Sequence, residues 1–186
     1  MPTVFTHPAA AIALYPWLRD RVGGRKALIA GGLLTALPDL DVIGFRFGIP
    51  YGHMLGHRGL SHSLAFALVV GGVAALPLAR RWVANPWALW LFFFLCLASH
   101  GALDALTSGG KGVAFLAPFS NERFFFDTRP VLVSPITVDR FLANGRGLDV
   151  LLSELRWIWL PALFLAVAGT LAGLLRRKAV TPAPTE

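Results

Sequence analysis

The chain has 186 residues, 55% of them hydrophobic and only 15% charged, against about 25% charged in an ordinary soluble domain. A mean hydropathy of +0.62 is more than one soluble core of this length needs, so the composition argues for a single integral membrane domain. The net charge of +7 does not signal nucleic acid, because the basic residues sit at the ends of apolar runs, where topology signals belong.

In chain order, five apolar stretches are predicted as membrane helices: Pro8–Leu18, Ala27–Leu37, Leu64–Ala79, Pro86–Ala98 and Ile158–Leu175. The last is a full-length span, and the first four are short against the usual ~20 residues. Basic clusters flank them at Arg19, Arg21, Arg25 and Lys26, at Arg80 and Arg81, and at Arg176, Arg177 and Lys178. Placing these nine residues in the cytoplasm gives one alternation that satisfies every cluster, with the N-terminus outside. Trp17, Trp82 and Trp87 then lie at the inner interface, and Trp157 and Trp159 at the outer one. Gly31–Gly32, Gly71–Gly72 and the Gly169/Gly173 pair are read as close helix packing. Cys96, the lone cysteine, is read as a small buried apolar residue.

The expected organisation is one domain, 1–186. Motif-bearing helices occupy 5–106, an irregular outer segment rich in Pro and Phe covers 107–147, a final helix covers 148–178, and a disordered tail covers 179–186. The fold class is all-α, a bundle of four to five short transmembrane helices with a polar site at the outer face. The irregular segment is expected to lie on the membrane or to roof the site, with short extended pieces such as "RPVLVS".

This alternation puts His7, Asp39, Asp41, His57, His62, His100 and Asp104 toward the outer ends of the helices. By helical rise, His7 lies ~18 Å above Arg19, Asp39 ~20 Å above Lys26, and His62 ~27 Å above Arg80. Against a hydrocarbon core of ~30 Å, that layer falls within the outer leaflet. Ionisable residues at such depth are costly and usually functional. His100 and Asp104 are four apart and share a helix face, so they can chelate one metal. In "HRGLSHS", His57 and His62 are five apart, so His57 is placed in the turn and His62 in the first helical turn, with Ser61 as a possible cap. In "PDLD", Asp39 and Asp41 cannot both face one point on a regular helix. One is expected to bind metal while the other supports it or acts as general base. Histidine with carboxylate suits Zn²⁺, Mn²⁺ or Fe²⁺. His53, in the loop "YGHMLG", lies outside the motif.

The ordered motifs "THPAAA", "PDLD", "HRGLSHS" and "SHGALDALTSGG" resemble a family of inner-membrane, metal-dependent hydrolases first catalogued as a domain of unknown function. Its prototype is a LexA-regulated bacterial membrane protein. The likeness covers roughly residues 5–135, and Ser61 stands where the family pattern has Thr. The order of ligands is also distantly similar to the zinc-dependent phospholipase C and single-strand nuclease superfamily. The resemblance implies a multi-pass protein of the bacterial inner membrane with His7, Asp39 or Asp41, His57 or His62, His100 and Asp104 as ligands. The chain has no histidine beyond His100, so one or two ions, zinc first, are expected rather than three.

The leading functional expectation is a hydrolase acting through a metal-activated water on a phosphoester or ester of a lipid or lipid-linked substrate. Asp39 or Asp41 would be the base and Arg58 the anion stabiliser. Membrane lipids are the expected surroundings and no nucleic acid is expected. Two alternatives stand beside it. A divalent-metal or proton transporter would need a polar relay, yet no charged side chain interrupts the inner halves of the spans. A metal-stapled structural or stress-response protein would fold with metal and turn nothing over.

Overall fold

Proline, asparagine and serine mark the helix borders. In a computed structural model, which describes residues 1–135 and 137–180, seven α-helices form among the described residues. They are α1 (Ala9–Leu18), α2 (Arg25–Ala36), α3 (Leu64–Trp82), α4 (Pro86–Ala105), α5 (Val138–Leu142), α6 (Arg146–Glu154) and α7 (Leu160–Val180). The Asn85 side chain caps α4 by accepting from Ala88 N at 3.0 Å, and Pro86 fills the first turn, where a missing N–H costs nothing. Ser63 caps α3 by accepting from Phe66 N at 3.1 Å. Ser61, expected as that cap, instead donates to Asp41 Oδ2 at 2.6 Å. The helix starts two residues later than the motif suggested, and His62 closes a separate 3₁₀ turn, Leu60–His62.

After α2 the chain continues as a 3₁₀ helix, Leu37–Phe47, ended by Gly48 in the left-handed conformation at φ 74°. Pro38 explains the change, since it has no N–H for the α-helical bond and its ring crowds the preceding turn.

Four helical segments are long and apolar enough to cross a membrane: Arg25–Phe47, Leu64–Trp82, Pro86–Ala105 and Val138–Ala179. The last joins α5, α6, a π turn at Leu155–Trp159 and α7. At ten residues, α1 spans only ~15 Å, half the hydrocarbon thickness. With Arg19 at one interface, His7 therefore sits inside the slab.

α4 is central, packed against α1, α2 and α3, while α1 also lies along α7. The core of the inner half joins Leu89, Phe92, Phe93 and Cys96 of α4 to Ala11, Val22, Ala27, Ala75 and Ala79. Small residues make that approach possible. A Cβ on Gly31 would come within 2.6 Å of the Phe92 ring, and one on Gly71 within 3.0 Å of the Phe94 backbone nitrogen. Lipid-facing positions such as Ile29, Leu33, Val73 and Phe164 are exposed.

The segment after α4 roofs the outer end. Ser108 N donates to Val131 O at 2.8 Å, Ala114 N to Arg58 O at 2.9 Å, and Leu64 N to Phe115 O at 3.0 Å. Val113, Ala114, Ala117 and Val131 are buried beneath it. Among the described residues its extended pieces meet as isolated bridges, Thr107 with Val131 and Val113 with Phe124. α5 forms within the stretch expected to be irregular, and α6 starts at Arg146, close to the expected 148. The expected tail lies, from 181 onward, outside the described residues.

Candidate metal centre

Five elements deliver the cluster. His7 comes from the turn before α1, Asp39 and Asp41 from the 3₁₀ helix after α2, and His57 from the turn that follows. His62 ends the turn before α3, and His100 and Asp104 lie on α4. His7, His100 and Asp104 are fully buried, and His57 and His62 almost so. Asp39 and Asp41 each keep 7% of the side chain exposed, so the cluster meets its surroundings along the 3₁₀ helix.

His62 is the pivot. Its Nδ1 lies 3.1 Å from Asp41 Oδ2, and its Nε2 lies 3.0 Å from His100 Nε2, 3.4 Å from Asp104 Oδ2 and 3.8 Å from Asp39 Oδ1. Asp39 and Asp41 thus take opposite sides of one imidazole. Residues two apart on a 3₁₀ helix with three residues per turn point about 120° from each other, which produces that split.

Asp41 is saturated. Its Oδ1 accepts from His57 Nδ1 at 2.7 Å, and its Oδ2 from Ser61 Oγ at 2.6 Å and from Arg58 N at 3.2 Å. Asp39 and Asp104 are the reverse: all four of their carboxylate oxygens lack an aligned hydrogen-bond partner, as do both nitrogens of His7. His7 Nε2 lies 3.8 Å from Asp39 and 3.9 Å from Asp104. Its ring stacks on His100 at 3.7 Å between centroids.

Tautomers follow from the partners. His100 Nδ1 is 2.6 Å from Thr35 O, and a carbonyl only accepts, so Nδ1 carries the proton and Nε2 presents a lone pair. That lone pair faces His62 Nε2 at 3.0 Å. Either an N–H donated by His62 Nε2 or a cation accepted by both nitrogens accounts for the approach. With two unsatisfied carboxylates in the same shell, a divalent cation answers the donor set better than a single proton. Asp39, His62, His100 and Asp104 bring one ligand atom each to within 4.8 Å of one another, and so do Asp41, His57 and His62.

Arg58 is fully buried at a positive φ of 63°. Its Nε lies 2.9 Å from Asp104 Oδ2, off the hydrogen-bond axis, while Nη1 donates to Gly109 O at 3.0 Å and Nη2 to Thr107 Oγ1 at 3.1 Å. The glycine after it is obligatory, because a Cβ on Gly59 would fall 2.1 Å from Met54 O.

Three supporting residues were not among those expected from the sequence. Glu154, fully buried on α6, accepts from Thr3 Oγ1 at 2.8 Å and Thr6 Oγ1 at 2.7 Å, so it anchors the segment that carries His7. Arg123 ties the roof to the motif loop, donating to His57 O at 3.0 Å and to Tyr51 O and His53 O at 3.1 Å. Tyr51 sets its ring edge-on to His57 at 5.1 Å, and burial raises its phenol above the ordinary value, so it stays a neutral hydroxyl. A lone Glu opening an apolar helix was the one cue that could have been followed. The other two act through loop contacts. His53 is exposed, and its ring accepts only from Leu55 N at 3.1 Å among the described contacts.

Fold and site together define a multi-pass α-helical membrane protein with a buried His/Asp cluster able to hold a metal ion at one end of its bundle. The chain belongs to the YdjM inner membrane protein family, whose sequence model matches residues 1–179. It is 43% identical over 166 residues to the inner membrane protein YbcI of Escherichia coli (strain K12), covering 89% of this chain and 95% of that protein. No solved structure gives a significant match. The protein is an inner membrane protein.

Proposed function

We propose that the protein is a membrane-embedded, metal-dependent hydrolase that cleaves a phosphoester or ester in a lipid or lipid-linked substrate. The observation that carries this reading is the convergence of the His62 and His100 Nε2 atoms, 3.0 Å apart, with the carboxylates of Asp39 and Asp104, whose oxygens lack aligned hydrogen bonds. A divalent metal held by these residues would supply Lewis-acid activation of water near neutral pH. His7, Asp39, His62, His100 and Asp104 would hold the ion, zinc first with manganese or iron as alternatives. Asp41 orients the His57 and His62 rings, as second carboxylates do for metal-binding histidines. Asp39, whose oxygens lack aligned hydrogen bonds where those of Asp41 are taken, is the better candidate for a base. Arg58, committed to Asp104, Thr107 and Gly109, is assigned to holding Asp104 in place. Lipid substrates fit a cluster whose exposed edge lies on a 3₁₀ helix that also exposes Leu40, Ile43 and Phe47.

The depth of burial favours a second reading, in which the metal staples short helices together without turnover. A transporter is less favoured, because among the described residues the buried core below Thr35 consists of Ala, Val, Leu, Phe and Cys, and no buried charged side chain continues from the cluster toward the other end of the bundle. The deciding experiment is elemental analysis of the detergent-purified protein beside Asp104→Ala, followed by a turnover screen with phospholipids and lipid phosphates. About one or two ions per chain, lost in the variant, together with product release, is the expected result. Metal without product, and thermal unfolding on chelation, would replace the hydrolase by the staple.

A further inference from the structure

At the end of the bundle opposite the metal centre, a cavity of about 430 Å³ opens between α1 and α7. Trp17, Gly169, Ala172, Gly173, Arg176 and Arg177 line it, together with Asp20. Small side chains on α7 create the space. A Cβ on Gly169 would fall 2.6 Å from the Trp17 indole, which lies flat on that glycine and donates from Nε1 to Leu165 O at 3.1 Å. Arg19 covers the next small residue, with Nη2 3.4 Å from where a Gly173 Cβ would stand. A second hollow of about 310 Å³ shares Trp17, Asp20 and Arg176 with the first and adds Arg21. Asp20 is ion-paired with Arg177, and with Arg19 at 3.8 Å. Arg19 and Arg177 thus meet this carboxylate, while Arg21 and Arg176 line the hollows beside it. Arg80 and Arg81 serve the same topological end but line neither hollow.

We propose that this hollow binds the phosphate headgroup of an anionic phospholipid of the cytoplasmic leaflet. Topology alone explains why arginines gather at this interface. It does not explain why they surround a cavity walled by an indole fixed at headgroup depth. Basic pockets between membrane helices on the cytoplasmic side suit anionic headgroups, and the guanidinium fork pairs with phosphate oxygens more specifically than a point charge does. Leu171 and Leu175 of α7 are exposed beside it to meet the acyl chains. The bound lipid would clamp the C-terminal end of α1 to α7. It would touch none of the metal-centre residues, since Trp17 is ~15 Å along the helix from His7.

The test is native mass spectrometry and tryptophan fluorescence on the detergent-purified full chain, titrated with phosphatidylglycerol or phosphatidylcholine. Phosphatidylglycerol is expected to bind preferentially. Arg176→Gln, at an exposed position, is expected to weaken it at least about fivefold, or ~1 kcal/mol. Gly173→Leu keeps every charge but fills the hollow, and is expected to weaken binding similarly. The double variant Arg80→Gln/Arg81→Gln is expected to change it less than about twofold. Equal loss in the double variant, unchanged binding in Gly173→Leu, or no preference for the anionic lipid would overturn the site. Displacement by millimolar glycerol phosphate would make it a phosphate site and not a lipid site.

Discussion

The two halves of the bundle obey different rules. In the inner half, α4 meets its neighbours through Leu89, Phe92, Phe93 and Cys96 against alanines and glycines. What matters there is volume and backbone approach, because lipid offers helices no hydrophobic drive to associate. In the outer half, the same helices meet through His7, Asp39, His62, His100 and Asp104, with separations fixed by atoms of defined direction. A packing contact tolerates a shape of similar size, whereas a donor set requires particular nitrogens and oxygens. The polar half is costly on its own, since burying unpartnered carboxylates in a low-dielectric slab is unfavourable. A cation bound there would turn that cost into a linkage between the elements at the outer ends of α1, α2, α3 and α4.

The sharpest way to break the comparison is His62→Ala. It removes the pivot between the two carboxylates, so retained metal is expected to fall to background by elemental analysis, with membrane insertion intact. Metal retained at the wild-type level would reduce the outer half to polar packing. Asp41→Asn comes next. It keeps the size but weakens the acceptor that holds His57 and His62, so a 10–100-fold loss of metal affinity is expected rather than abolition. Competition with a graded series of chelators measures it. Equal losses in Asp41→Asn and His62→Ala would promote Asp41 to a direct ligand of the Asp41, His57 and His62 group. In the inner half, Gly31→Ala drives a Cβ into the Phe92 ring. The expected cost is about 1–3 kcal/mol in stability, read as a lower midpoint in detergent unfolding, with metal stoichiometry unchanged.

Much of this division is legible in the sequence, and for a physical reason. Charges and apolar runs report depth, so the spans and the outer layer follow from where Arg19, Arg80 and Arg176 must lie. The pair His100 and Asp104 is legible because helical periodicity alone puts them on one face. The split of Asp39 and Asp41 around His62 was only half visible. The motif excluded a shared target, but which ring nitrogen each carboxylate meets depends on the 3₁₀ path after Pro38. The commitments of Arg58 to Thr107 and Gly109 were hidden, because they link residues about fifty positions apart. Glu154 was hidden for the same reason, its partners Thr3 and Thr6 lying at the other end of the chain. Depth is encoded locally, while partnership across loops is not.

The smallest expected effect tests the depth argument most directly. His53 is the one histidine of five outside the expected ligand set and lies only four residues from His57, so nearness in sequence would include it among the ligands. Its side chain is exposed and accepts from Leu55 N within its own loop. The clamp from Arg123 reaches its backbone carbonyl, not its ring, so His53→Ala leaves that contact in place. Metal content is expected to match wild type, with stability within about 0.5 kcal/mol, as for a surface substitution. A loss of metal as complete as in His62→Ala would mean that the loop folds into the centre when an ion binds. The ligand set would then follow the motif's sequence neighbourhood and not the layer within the outer leaflet.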